Sequence, residues 1–371
     1  MKKLHLWTGR DGLSRSLRLA GWVALLVLMT GVTAWARVGG PCVNCHTMHN
    51  SQDGASVVGD TLPALLSTGC IGCHTSDAET IVDLNDGTRI PIVYTKAEPD
   101  PKPGSNNSML AGGNFHWVAN GDDSKGHNVF IGQRDAKLFQ APGASTSCTP
   151  CHDSLATAKS SCQGCHLPAH HADDSAKVVT AANGSYRFLG DVMMVYFATN
   201  GRYPPEISSL PFNGVSGIED PDWEQKATST QHNVYLGTTD VYDRALTVDK
   251  GTIGQMCAGC HGNFHHQMNS EQASLSGVWI RHPSDVLIPN SGEYAAYKTY
   301  SPLAPVAKPN LEPGMETSDL VEPGKDIVTC ISCHRPHGSP YPDMLRWDYD
   351  TCDAGTANDE CGCYVCHTAK D

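Results

Sequence analysis

The sequence of 371 residues contains the motif Cys-x-x-Cys-His seven times. The two residues between the cysteines differ from copy to copy, whereas the cysteines and the histidine recur. On one helical turn, positions i, i+3 and i+4 share a face. Two thiols can therefore bond one haem while the imidazole lies under its iron, which is the attachment pattern of c-type cytochromes. The predicted haem-binding sets are Cys42, Cys45 and His46; Cys70, Cys73 and His74; Cys148, Cys151 and His152; Cys162, Cys165 and His166; Cys257, Cys260 and His261; Cys330, Cys333 and His334; and Cys363, Cys366 and His367.

Two other uses of paired cysteines explain the motif less well. Zinc needs four protein ligands in a structural site, so seven motifs would form three zinc sites and leave one over. Seven disulfides within Cys-x-x-Cys would be reactive, as in redox enzymes. Neither use explains why a histidine follows every pair. The sequence therefore predicts seven covalently bound haems c.

A second set of histidines is available for the opposite face of each iron. Ten histidines remain outside the motifs and the N-terminal leader, which suits bis-His ligation of all seven haems. The doublets 170/171 and 265/266 are each expected to supply one ligand, with the choice within each doublet open. Methionine, the other usual ligand, raises the haem potential and is less favoured here. The expected distal ligands are His49, His127, His171, His232, His265, His282 and His337, with His116 left out.

The position of two of these histidines restricts which haem they can bind. His49 and His337 each follow a proximal histidine by only three residues. A side chain this close to its own proximal ligand cannot reach the other face of the same haem. Each is therefore expected to bind the iron of a neighbouring haem.

The first 36 residues have the features of a secretory signal peptide. Five basic residues precede a 15-residue, mostly apolar run, and Ala34-Trp35-Ala36 suits cleavage after Ala36. The run is shorter than the ~20 residues that span a bilayer. Without this leader the chain has 21 basic and 38 acidic residues, a net charge of −17. Such a charge argues against a nucleic acid or an anionic membrane surface as partner.

The rest of the chain is expected to form one heptahaem unit, residues 37–371. Irregular motif spacing divides it into 37–145 with haems one and two, 146–270 with haems three to five, and 271–371 with haems six and seven. Glycine and proline make up 59 residues, so the predicted fold class is a multihaem cytochrome c of irregular coil. Short helices at the haem sites and a few β-hairpins, one over 81–94 with Pro91 at an edge, should wrap around the haem chain. Residues 302–326 show little periodicity and are expected to lie on the surface.

Two cysteines, Cys352 and Cys361, fall outside the motifs. In an exported protein a disulfide between them is the default expectation. Calcium bound by the intervening acidic loop, through Asp353, Asn358 and Asp359, is the alternative. That loop lacks the alternating ligand pattern of known calcium loops.

Several segments resemble one known group of proteins. The opening stretch from Gly40 through the first motif to His49, together with Gly-Gly-Asn-Phe at 112–115 and the run from Cys330 to His337, is similar to multihaem cytochromes of metal-reducing bacteria. These include extracellular cytochromes that polymerise into conducting filaments. The resemblance implies that His49 can bind a haem of the next subunit, which would make the chain a homopolymer.

The favoured function is electron transfer to redox partner proteins or an extracellular acceptor such as a metal oxide, from the periplasm or the cell exterior. Uniform proximal histidines and the lack of a separate catalytic motif indicate a carrier, and no catalytic residue is assigned. The alternative is a reductase of a small nitrogen or sulfur oxyanion, which would need one haem with an open face.

Overall fold

The computed structural model describes residues 41–52, 54–59, 62, 65–84, 87–129, 161–166, 170–171, 176–180, 183–190, 214–239, 251–258, 261, 264 and 282–370. All of them fall within one unit, Ala36–Asp371. In these ranges no helix is long and apolar enough to span a bilayer.

Regular structure in this part of the chain comes in very short pieces. The α-helices have four to six residues, and the strands have two or three. Mean α-helices and strands are about twice that length, so the predicted coil-rich fold class is confirmed. The α-helices are α1 (Cys70–Cys73), α2 (His116–Ala119), α3 (Ile253–Ala258) and α4 (Gly362–Cys366).

Single 3₁₀ turns supplement the α-helices, and eleven strands form small sheets. The 3₁₀ turns are Cys42–Asn44, Asp123–Lys125, Ser161–Gly164, Tyr186–Phe188, Gly292–Ala296, Cys330–Ser332, Pro342–Met344 and Tyr349–Thr351. The strands are β1 (Ser51–Gln52), β2 (Ala55–Ser56), β3 (Thr75–Ser76), β4 (Ile81–Asp83), β5 (Arg89–Pro91), β6 (Tyr94–Thr95), β7 (Val178–Val179), β8 (Gly217–Ile218), β9 (Val234–Tyr235), β10 (Val286–Leu287) and β11 (Ile327–Val328).

The hairpin predicted over 81–94 is confirmed for most of its length. Strands β4 and β5 pair antiparallel, with Ile81 opposite Pro91 and Asp83 opposite Arg89. Pro91 lies in a two-stranded sheet, where a missing backbone N–H is tolerated. The end of the segment differs from the prediction, because Tyr94 belongs to β6, which pairs in parallel with β3 just after the second haem motif.

Residues distant in sequence form the core. One cluster joins Tyr186 and Val215 to Ile253, Ala307 and Ile327, and a second contains Ile288, Tyr297, Tyr300, Val306 and Val321. The prediction that 302–326 lies on the surface is wrong for Val306, Ala307 and Val321, which are fully buried. Backbone hydrogen bonds cause this: the Ala307 amide donates to Ile327, and Lys308 donates to Tyr235 in β9.

A close crossing of two glycines joins the segment after β6 to the sixth motif region. Gly113 and Gly338 form a parallel bridge, and the Asn114 amide donates to the Gly338 carbonyl over 3.0 Å. Gly113 has φ +87°, and a Cβ there would lie 2.0 Å from the Gly338 oxygen. Only glycine tolerates both the backbone angle and this approach.

Candidate haem sites

Six of the seven motifs lie in or largely in the described residues, and all six fold in the same way. In each, the histidine amide donates to the carbonyl of the first cysteine, four residues earlier, over 2.8–3.1 Å. In the five motifs that are described in full, this single helical turn carries both thiols and the imidazole on one side. The third motif, Cys148 to His152, and Cys260 of the fifth lie outside the described residues.

A hydrogen bond orients most of the proximal imidazoles. Nδ1 of His74, His166 and His334 lies 2.7–2.9 Å from the backbone carbonyls of Pro91, Arg187 and Asp343 respectively. A carbonyl oxygen can only accept, so Nδ1 carries the proton and Nε2 keeps its lone pair. This is how metal-binding histidines are usually held.

The last motif differs because a carboxylate replaces the carbonyl. Nδ1 of His367 lies 3.1 Å from Oε1 of Glu293. A carboxylate partner raises the basicity of the ring and strengthens it as a donor to a metal.

A second imidazole faces the proximal one in five of the motifs. An iron between two imidazoles needs about 2 Å for each metal–nitrogen bond and about 1 Å from each nitrogen to its ring centre, so the centres should lie about 6 Å apart. The observed separations are 6.0–6.2 Å. The pairs are His46 with His171, His74 with His170, His166 with His337, His261 with His127, and His367 with His282.

Two of the facing histidines are themselves held through Nδ1. His127 is bonded to the carbonyl of Pro336 and His282 to that of Pro283. The donors, their tautomers and the ring spacing therefore suit a six-coordinate iron between the rings. The same residues suit thioether bonds to the porphyrin from the adjacent cysteines.

Both imidazoles of the doublet at residues 170 and 171 face a proximal histidine. His171 faces His46 and His170 faces His74, each at 6.2 Å. Adjacent residues thus face the proximal histidines of two different motifs. One ligand is predicted from this doublet by the sequence, and His171 rather than His170 is among the expected ligands.

The His337 imidazole is closely surrounded. It lies 4.7 Å from the Phe115 ring, its amide donates to Gly112 over 2.7 Å, and a Cβ on Gly112 would come within 3.0 Å of its Nδ1. Burial, and then the neighbouring His166, His127 and His74, lower the pKa of His337 to about 3. The ring is therefore neutral near pH 7, the form that binds a metal.

The other predicted distal histidines are placed differently. His49 is exposed, next to Met48, which is 75% exposed. His232 is buried and stacks on Tyr300 at 3.4 Å, with its two ring nitrogens near the carbonyls of Asn233 and Ser318. His265 lies outside the described residues.

One proximal histidine has no facing imidazole in the described part of the chain. His334 is oriented by Asp343 like the others, but none of the described rings lies opposite it at about 6 Å. His116, which is not among the expected distal ligands, donates from Nδ1 to the Thr95 carbonyl over 2.9 Å, because that oxygen can only accept. Its Nε2 lies 3.2 Å from the Asn120 amide nitrogen.

Known proteins that carry the same haem-binding motif are similar to this chain. Residues 322–371, which contain the last two motifs, match the family model described as a doubled CXXCH motif. Over 407 aligned residues the chain is 26% identical to the C-type cytochrome OmcS of Geobacter sulfurreducens, covering 91% of this chain and 86% of that protein. By both comparisons the chain is similar to multihaem c-type cytochromes.

One solved structure shows the same fold. The outer membrane cytochrome S filament from Geobacter sulfurreducens matches with a TM-score of 0.52 and 21% identity, over 87% of each chain. A second structure, of OmcS nanowires from the same organism, matches with a TM-score of 0.44 and 19% identity over 86% of each chain. The fold assignment rests on the first of these.

Cysteines of neighbouring motifs lie close enough to affect one another's pKa. A hydrogen bond with the Cys162 thiol raises the pKa of Cys70, so motifs two and four are adjacent. Burial and then the nearby Cys45 raise the pKa of Cys73, which places motif one beside motif two. Burial, followed by Cys333 and Cys363, raises the pKa of Cys366 to about 12, so motifs six and seven adjoin.

Distal and proximal histidines connect the remaining motifs. His337 faces motif four. Burial is the largest cause that lowers its pKa, and His127 is among the neighbours that lower it further. His127 faces motif five. Burial lowers the pKa of His334 of motif six, Asp343 raises it, and His127 lowers it further. Among the described motifs, these interactions connect motif one with two, two with four, four with five, five with six, and six with seven.

The predicted disulfide is confirmed. Cys352 and Cys361 are bonded, with their Cα atoms 5.4 Å apart. Cys361 lies immediately before α4, which carries the two cysteines of the seventh motif.

Proposed function

We propose that this cytochrome carries electrons along a row of seven covalently bound, low-spin haems c with two histidine ligands each. The observation that carries the proposal is the set of five imidazole pairs 6.0–6.2 Å apart, each with one ring from a Cys-x-x-Cys-His turn. Haem c would supply one-electron Fe(III)/Fe(II) chemistry. Bis-His ligation fills both axial positions, which favours a carrier over a catalyst.

The protein's own part is to hold these ligands rigidly. Backbone carbonyls fix the tautomer of His74, His166 and His127, which leaves Nε2 free for iron. A ligand set that hardly moves between oxidation states reduces the reorganisation that electron transfer requires. Bis-His haems also lie at the low end of the range of haem potentials.

Adding His170 changes the assignment of distal ligands. With it, the sequence offers eight candidates for seven irons. His232 is the one to omit, because both of its ring nitrogens already lie near carbonyl oxygens and its ring stacks on Tyr300. We therefore assign His170 and His171 to adjacent haems and His232 to the core.

The contacts between motifs support a linear electron path. Cys45 and Cys73, then Cys70 and Cys162, then His337 and His127 connect successive sites toward the C-terminus. An electron entering at site one would pass sites two, four, five and six and reach site seven. Site three, at Cys148, Cys151 and His152, is not placed in this order.

Two sites still need a distal ligand, sites three and six. His49 of a neighbouring copy is our candidate for site six, because His49 is exposed and cannot reach its own haem, while His334 has no facing ring among the described residues. Such a bond would join copies into a homopolymer with a continuous haem row. The solved filament of the outer membrane cytochrome S supports this reading through its shared fold. His265 is our candidate for site three.

We further infer that the chain is exported, with cleavage after Ala36, and works at the outer surface on an extracellular acceptor. The basic leader followed by an apolar run supports export. N-terminal sequencing of the native protein should begin at Arg37, and a sequence that retains the leader would contradict this part.

Mass and spin state test the proposal together. Intact mass spectrometry of the native protein should give the mature chain plus seven haem groups. Low-temperature EPR of the oxidised, assembled protein should show low-spin ferric haem and no stoichiometric high-spin signal. A high-spin haem in every folded, assembled chain would contradict the carrier function.

A reductase of a small nitrogen or sulfur oxyanion is the second candidate. The observation that favours it is that no imidazole of the described residues faces His334. Mixing the reduced protein with nitrite, hydroxylamine or tetrathionate distinguishes the two functions. Fast haem reoxidation that saturates with substrate would support the reductase, whereas a carrier should stay reduced.

A further inference from the structure

The disulfide between Cys352 and Cys361 lies against the seventh haem site. The sulfur atoms of Cys352, Cys361 and Cys363 all lie within 4.8 Å of one another. Cys363 is the first cysteine of the seventh motif, so its sulfur would be bonded to the porphyrin. A two-electron redox group is thus in near van der Waals contact with the edge of a one-electron cofactor.

The surroundings hold these sulfurs together. Cys361 is 1% exposed and lies one residue before Gly362, the first residue of α4. The Trp347 ring packs on Gly362 so closely that a Cβ there would lie 2.2 Å from its Cε3. The α4 turn therefore cannot move away from the disulfide without displacing a buried tryptophan.

The other side of the disulfide faces water. Cys352 is half-buried, and residues 353–357, 359 and 360 of the loop between the cysteines are exposed. Protons can therefore reach the sulfurs from solvent. The loop is held by short-range bonds, from the Gly355 amide to the Lys370 carbonyl and from Asn358 to Thr351, and by an ion pair of Glu360 with Lys102.

We propose that the Cys352–Cys361 disulfide is a redox-active group that is reduced by electrons arriving at the seventh haem site. The sulfur–sulfur bond breaks as it takes up two electrons, one at a time, from ferrous haem c and two protons from solvent. Two thiols form, and two irons are oxidised from ferrous to ferric. Low-potential haems are reductants of the strength that thiol–disulfide couples require.

This inference rests on the proposed function, since electrons must reach site seven. It adds a consequence that a simple carrier lacks. When the haem row stays reduced because no acceptor removes electrons, the disulfide opens and frees the loop 353–360 beside the last haem. When an acceptor oxidises the row, the two thiols return their electrons and the disulfide closes.

Thiol trapping in the native holoprotein tests the proposal. The protein is held without oxygen on an electrode with a one-electron mediator until the haem absorbance shows full reduction, and it is then treated with N-ethylmaleimide. Intact mass spectrometry should show two added maleimide groups per chain, and none for the oxidised protein. Reduced haems with no added group would overturn the inference.

Two controls separate the causes. A haem-free protein with an exposed disulfide, held in the same cell, should remain unlabelled; equally fast labelling would mean that the mediator is the reductant, and the inference would fail. The variant Cys352→Ser/Cys361→Ser should take up two fewer electrons per chain than the native protein at equal haem reduction. If the haems themselves cannot be reduced or are high-spin, the proposed function fails instead.

Discussion

Two regions of this protein share a local sequence and differ in the residues that surround it. His49 and His337 both end a Cys-His-x-x-His stretch. His337 is enclosed by Gly112, Phe115 and the facing His166. His49 is exposed in a segment whose neighbour Met48 also faces solvent. The spacing argues against ligation of their own haem in both cases. In the proposed assignment, packing directs His337 to a haem of its own chain and leaves His49 for a haem of another copy.

The close crossing of Gly113 and Gly338 should contribute most to the stability of the region around His337. Gly113→Ala adds a Cβ 2.0 Å from the Gly338 oxygen at φ +87°, so backbone strain and displacement together should lower the free energy of unfolding by roughly 3 kcal/mol. Chemical denaturation followed by circular dichroism measures this.

Gly87→Ala is the matched control for that change. Its φ of +88° is nearly the same, but no atom lies within 4 Å of the added Cβ, so the cost should be only about 1 kcal/mol. Equal losses for the two variants would show that the close crossing does not stabilise the His337 region.

Facing geometry, rather than burial, should decide which histidine is a ligand. His170→Ala removes a ring 6.2 Å from His74 and should convert one haem per chain to a high-spin form in EPR. His232→Ala removes a buried ring that faces Tyr300 and should leave the spin states unchanged. The reverse result would contradict the spacing argument.

A small change beside His337 should perturb its haem without removing the ligand. A Cβ at Gly112 would come within 3.0 Å of Nδ1 of His337, so Gly112→Ala should rotate or shift the ring by a few tenths of an ångström. One low-spin EPR signal should move while the number of high-spin haems stays at zero. No spectral change would mean that Gly112 does not restrain this ring.

The sequence predicts the local parts of these sites well and the long-range parts poorly. The Cys-x-x-Cys-His turns depend on one hydrogen bond across four residues, and the 81–91 hairpin and the Cys352–Cys361 disulfide are also local. Which histidine faces which motif depends on how distant segments of the chain pack together. The sequence therefore identifies ten candidate histidines but does not predict which proximal histidine each one faces.

The same reason explains why the sequence does not predict the burial within residues 302–326. Nothing in residues 302–326 indicates burial, because their burial comes from backbone bonds to strands far away in sequence, such as Lys308 to Tyr235. The doublet at residues 170 and 171 shows the same dependence on distant segments. The two rings face the proximal histidines of two different motifs, which the sequence spacing does not indicate.

Electron microscopy of purified His49→Ala beside His337→Ala tests the central claim most directly. If the exposed histidine joins copies and the enclosed one serves its own chain, native protein and His337→Ala should form filaments, whereas His49→Ala should remain monomeric. Unchanged filaments of His49→Ala would contradict the account, as would native protein that stays monomeric at every concentration examined.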